Sequence, residues 1–103
     1  MKRLGVPAVD EASPRLRLDK WLWHARLAKS RSIAARLVED GYVRVNGVRA
    51  DASAKPVKPG DVLTIALERT VRVLKIVALG QRRGPAREAQ ALYEDLAAAP
   101  KAE

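Results

Sequence analysis

A chain of 103 residues is long enough for one small domain and too short for a catalytic cleft between lobes. Its 20 lysines and arginines against 12 acidic residues leave a net charge of +8, which favours a polyanionic partner. The absence of cysteine excludes a disulfide framework, a thiolate nucleophile and a cysteine zinc site.

Residues 1–14 read as a flexible arm, because Gly5, Pro7, Ser13 and Pro14 break any periodicity. The apolar stretch after Lys2 and Arg3 is too short for a secretory signal. No run approaches the roughly 20 apolar residues of a membrane span, so a cytoplasmic protein without a membrane partner is expected. From Leu18, apolar residues at Leu18, Trp21, Leu22, Ala25 and Ala28 share one face of a first helix. Ser30 is the expected N-cap of a second, with inner face Ile33, Ala34, Leu37 and Val38 and an end at Gly41. The connector is so short that the two helices must be neighbours. Tyr42–Val45, Asn46-Gly47 and Val48–Ala50 form a hairpin signal in which Val45 faces Val48 and Arg44 faces Arg49. Val62–Leu67 and Val71–Leu79 read as two longer strands. Pro85 opens a third helix expected over Ala86 to about Ala98, with Leu92, Tyr93 and Leu96 on one side. The expected fold is α+β: two packed N-terminal helices, a small, mostly antiparallel sheet of about four strands, and a C-terminal helix.

The charge is not evenly spread. Arg15 to Lys55 holds ten basic residues and four acids, a net +6 of the +8 in two fifths of the length. At its centre Lys29-Ser30-Arg31-Ser32 opens the second helix, where free backbone amides and the helix dipole favour an anion. Arg17, Lys20 and His24 are expected on one flank of the first helix, and Arg36 lies one turn beyond Ser32. Facing arginines repel, by up to about 1 kcal/mol, and a phosphate between Arg44 and Arg49 would relieve that; two arginines splayed into solvent would do so too. His24, the only histidine, lacks metal-binding partners and reads as a helix-flank residue rather than a catalyst. Trp23 points about 160° away from Trp21 on an ideal helix, and the third helix is expected to cover it. Arg82-Arg83 is either a second phosphate contact or a flexible basic loop.

Arg17-Leu-Asp-Lys-Trp-Leu-Trp-His-Ala-Arg, Lys29-Ser-Arg-Ser, Leu37-Val-Glu-Asp-Gly-Tyr-Val-Arg-Val-Asn-Gly and Val57-Lys-Pro-Gly-Asp-Val-Leu together resemble the RNA-binding domain named after ribosomal protein S-four. With Gly84-Pro-Ala-Arg-Glu-Ala-Gln-Ala-Leu-Tyr, the opening stretch is similar to the ribosome-associated heat-shock protein fifteen family. That resemblance implies an RNA-binding domain of the αL type at 15–67, an extension of strand and helix at 68–99 and a tail at 100–103. It implies a non-catalytic protein that binds structured ribosomal RNA on free large ribosomal subunits, with the tRNA of a stranded nascent chain as a further partner. Carried over by position, the RNA contacts are Arg17, Lys29, Ser30, Arg31, Ser32, Arg36, Arg44, Asn46 and Lys55. No cofactor, metal or small-molecule substrate is expected, and a monomer is expected because no apolar face is left over. The alternatives are an accessory module of an RNA-modifying system, or a module binding DNA or an acidic protein.

Overall fold

The computed structural model describes residues 14–97; the arm before them and the tail after them lie outside it. The chain runs β1 (Leu16–Arg17), α1 (Leu18–His24), α2 (Arg31–Glu39), β2 (Val43–Val45), β3 (Val48–Arg49), β4 (Pro56–Val57), β5 (Val62–Ala66), β6 (Val71–Ile76), α3 (Ala86–Gln90) and β7 (Tyr93–Ala97). Strands β3-β2-β5-β6-β7 make one antiparallel sheet, and β1 pairs with β4 in a second, two-stranded one.

The two helices close in the same way. Gly41 (φ 91°) follows α2, with Gly41 N–H donating to Val38 O and Tyr42 N–H to Leu37 O, the paired bonds of a Schellman end. At the end of α1 the left-handed position is taken by Arg26 (φ 61°), with Arg26 N–H to Trp23 O and Leu27 N–H to Leu22 O. A side chain in that region costs about 1–2 kcal/mol, and the Arg26 Nε donates to Gly84 O at 2.6 Å, tying the end of α1 to a loop 58 residues on.

Leu18, Trp21 and Leu22 of α1, Ala34 and Val38 of α2, and Val43, Leu63, Ile65, Leu74 and Ile76 of the sheet form the core. Trp21 is fully buried; its Nε1 donates to Ala78 O at 2.9 Å and its ring meets Tyr93 edge-on at 6.3 Å. All five residues expected on the inner face of α1 are buried, but on α2 Ile33 is 47% exposed while Ala34 and Val38 are fully buried. Ile33, Tyr42, Val48, Val77 and Leu96 are exposed, so some large apolar side chains do remain at the surface.

The third helix differs most from expectation. It stops at Gln90, and Tyr93–Ala97 pairs with β6 as a fifth strand of the sheet. The Ala/Glu-rich segment has good helix propensity, but β6 would otherwise leave a bare edge. The strand also seats Tyr93 on Trp21 and pairs Asp95 with Arg72 at 2.8 Å, the Arg72 guanidinium lying 5.5 Å from the Tyr93 ring centre.

The hairpin register is as expected, Arg44 opposite Arg49 and Val45 opposite Val48. Asn46 and Gly47 both take positive φ, 52° and 86°, as a two-residue turn of this hand requires. Asn46 also latches the hairpin to the sheet: its Nδ2 donates to Asp61 Oδ1 at 3.1 Å, and its Oδ1 accepts from Val62 N–H at 2.9 Å. Asn46→Ala is therefore expected to destabilise the domain by about 1–3 kcal/mol, from two lost hydrogen bonds and an unfavourable φ. Asn46→Gly, which regains the φ but not the bonds, should fall between in urea unfolding; equal midpoints for all three would refute the latch.

Candidate nucleic-acid interface

The entrance to α1 is built without a side-chain cap. Its first amides, which a helix leaves without internal partners, donate to the 53–55 loop instead: Leu18 N–H to Lys55 O at 2.9 Å and Asp19 N–H to Ser53 O at 3.0 Å. The β1–β4 pairing sets Arg17 opposite Pro56, beside Lys55.

Asp19 is the residue that sequence reasoning passed over. Its side chain is 5% exposed, and it accepts a two-pronged contact from Arg17 (Nε to Oδ1 at 3.1 Å, Nη2 to Oδ2 at 2.9 Å) and a third from Arg31 Nη2 at 3.4 Å. Arg17 and Arg31 keep 52% and 42% of their side-chain surface. One buried carboxylate thus holds two half-exposed guanidiniums, one before α1 and one in the first turn of α2, in fixed positions. Burial by itself would raise the Asp19 pKa, but the hydrogen bond and charge of Arg17, with the charge of Arg31, outweigh it and hold the carboxyl below its usual value. The same partnership raises the pKa of Arg17. An aspartate in the first helical turn two residues after an arginine was the available signal.

Ser30 caps α2 as expected, its Oγ accepting from Ile33 N–H at 3.1 Å. Arg31, Ser32 and Arg36 are exposed on α2, and Lys29 is exposed just before it. Lys55 is exposed and borders two open grooves, one of about 360 Å³ shared with Arg49 and Asp51 and one of about 190 Å³ shared with Arg15, Asn46 and Lys58.

The remaining expected residues separate from this group. Val43 and Val45 point into the core, so Arg44 between them stands on the opposite face of the sheet from the helices. The basic residues concentrated between Arg15 and Lys55 are therefore divided between two faces of the domain. Arg49 turns away from Arg44: its Nη2 donates to Glu39 O at 3.3 Å, a cation at the carbonyl end of α2, and its guanidinium covers Gly41. The repulsion is relieved within the protein.

His24 is not on a basic flank. It is 1% exposed, with Nδ1 3.2 Å from Leu79 O, because the 78–84 loop folds over that side of α1. Trp23 is half-buried, its ring 5.8 Å from that of His24, and Tyr93 packs against Trp21. Among the described residues no three His, Cys, Asp or Glu side chains gather as metal ligands, and no helix is long and apolar enough to cross a membrane.

A pair of helices leading into a hairpin, with cations ordered at the second helix's start, defines the S4 class of domain, and the S4 domain model matches residues 16–63. Over 84 residues the chain is 44% identical to the heat shock protein 15 homolog of Haemophilus influenzae, which spans 82% of this chain and 63% of that protein. A solved structure described as the trimeric structure of Vibrio cholerae heat shock protein 15 superposes with a TM-score of 0.76 at 40% identity, covering 82% of this chain and 84% of that one. The chain belongs to the heat shock protein 15 family. It spans somewhat less than two thirds of the Haemophilus influenzae relative. A shorter match, 46% identical over 50 residues (48% of this chain, 57% of the other), is to the RQC P-site tRNA stabilizing factor of Bacillus subtilis.

The Asp19 cluster carries a pH signature. A carboxylate whose folded pKa is depressed contributes stability that is present above its unfolded value, here 3.8, and is lost as pH falls through the folded value. The urea midpoint should hold from pH 7 to about 5 and fall below about 4. Asp61, also depressed, shares in that loss because Asn46 and Lys58 outweigh the effect of its burial. Asp19→Asn should start lower at pH 7 and fall less on acidification; an acid-induced loss equal to the wild type's would show that Asp19 is not held charged by its arginines.

Proposed function

We propose that this chain binds structured ribosomal RNA without catalysing a reaction, and that it acts on free large ribosomal subunits carrying a stranded nascent chain on tRNA. The observation that carries the reading is the Asp19 clamp: two guanidiniums ordered at the open end of α2, with Lys29, Ser32 and Arg36 alongside. Ordered cations contact phosphates with little further loss of side-chain freedom. The α2 amides add a partial positive charge at the same place. A rigid constellation suits recognition of RNA shape more than of base edges. The Bacillus subtilis relative's name places it on P-site tRNA, which supports a tRNA-bearing subunit as the target.

In this reading residues 15–67 form the RNA-binding domain, and 68–97 complete its sheet. Arg17, Lys29, Arg31, Ser32, Arg36 and Lys55 contact phosphates from the helix side, with Ser30 shaping the α2 entrance. Arg44 contacts from the sheet side, and Asn46 acts by holding the hairpin. The protein is expected to work in the cytoplasm as a monomer; sedimentation equilibrium showing a stable trimer, the state in which the Vibrio cholerae relative is described, would overturn the latter.

With about five or six phosphate contacts, log K should fall against log salt with a slope of about −4 to −5 on duplex-like RNA. Arg31→Ala or Arg36→Ala should weaken binding to ribosomal RNA several-fold, similarly across sequences, and make the slope shallower by about 1. Filter binding and co-sedimentation with free large subunits measure these effects. Wild-type affinity in both variants at low salt would place the interface elsewhere, and equal affinity for duplex DNA would refute recognition of RNA shape.

A further inference from the structure

We infer that the loop between β6 and α3 forms a pocket for one nucleobase, a base that leaves the stack of the RNA bound by the α2 surface; the inference rests on the RNA-binding reading above. The pocket holds about 240 Å³, the scale of a single heteroaromatic ring system rather than of a larger ligand. His24, Ala89 and Leu92, all buried or nearly so, line it as an apolar and aromatic wall. Gly80 and Gly84 line it with bare backbone. A Cβ on Gly80 would press on Leu92 at 3.1 Å, and one on Gly84 would displace the Glu88 carboxylate from its present position.

The polar lining identifies the ligand class. Gln81, Arg82 and Glu88 border the pocket, and Arg82 and Glu88 pair with each other at 3.1 Å. A phosphate would meet the Glu88 carboxylate, and a metal ion would meet the Arg82 guanidinium. A neutral ring with donors and acceptors on its edge suits an amide, a carboxylate and a guanidinium together. Arg83 and Arg87 flank the pocket in sequence and are suited to the neighbouring phosphates. The Arg83 Nε is buried without a hydrogen-bond partner within the protein. The pocket is also tied to the proposed interface. Arg26, three residues before Lys29, is held in a left-handed conformation and hydrogen-bonds Gly84 O. That bond links the α1–α2 turn to the pocket wall.

The test is a titration of the ¹⁵N-labelled full chain with a short RNA strand folded into a hairpin with one unpaired nucleotide, and with the same hairpin-forming strand made abasic at that nucleotide. Both strands should shift the amides of Lys29–Arg36, and only the base-bearing strand should shift those of Gly80, Gln81 and Gly84. Ala89→Leu, which fills the pocket, and the milder surface change Gln81→Ala should reduce the loop response at least several-fold while leaving the Lys29–Arg36 response in place. Loop amides that move equally with the abasic strand would mean a phosphate site. Loop amides that stay still with both strands while Lys29–Arg36 responds would refute the pocket alone. A free mononucleotide that binds the loop more tightly than the oligonucleotide would overturn RNA as the source of the base. If Lys29–Arg36 does not respond to either strand, the RNA-binding reading falls and the pocket with it.

Discussion

Everything on the helix side of this molecule is arranged around one ionised carboxylate taken out of water. Asp19 sits in the first turn of α1 with its side chain 5% exposed, and an unpaired charge there would be strongly destabilising. It is tolerated because Arg17 and Arg31 pair with it and the Lys20 backbone amide donates to it, while its own backbone amide donates to the Ser53 carbonyl. Three segments distant in sequence, the start of α1, the start of α2 and the 53–55 loop, are therefore fixed to one another at a single point. The same contacts that satisfy Asp19 leave the outer halves of both guanidiniums facing solvent. A structural requirement and the proposed binding surface share the same atoms, so neither can be altered alone.

The sheet solves a different problem. Its strands β2, β5 and β6 provide an apolar floor for α1 and α2, and Trp21 passes through to the far end of the core, where the Ala78 carbonyl and the Tyr93 ring receive it. Asp61 plays at the hairpin the part that Asp19 plays at the helices: a buried carboxylate organises Asn46 and Lys58, and through Asn46 the turn itself. In a chain of net charge +8, two of the acids are spent inside, as organisers of cations and amides.

Features governed by near neighbours were legible in the sequence. Ser30 as a cap, Gly41 as a helix end and Asn46-Gly47 as a two-residue turn each depend on local backbone geometry, and the Arg44 and Arg49 pairing follows from the turn length alone. What depended on distant partners was not. Tyr93–Ala97 has the composition of a helix and becomes a strand because β6 has an edge to fill. His24 lies on a helix flank by its spacing and is buried because a loop more than 50 residues away covers that flank. Asp19 was not singled out, since nothing in its own segment shows that Arg31 will arrive beside it. The basic residues of the candidate site were visible as a group, but their division into a helix-side cluster and a sheet-side arginine required the strand alternation around Arg44.

The ties between α1 and the chain's far end set an order on biosynthesis. Trp21 to Ala78, His24 to Leu79 and Arg26 to Gly84 span 57, 55 and 58 residues, and the Trp21 ring also waits for Tyr93. While the chain is emerging during synthesis, the largest apolar side chain of the first helix lacks its hydrogen-bond acceptor and its aromatic neighbour until almost all of the described residues have been made. Folding of this domain is thus completed after, not during, the synthesis of its N-terminal half. Trp21, on the helix that follows Arg17, gains its last aromatic neighbour only once the strand bearing Tyr93 has been added.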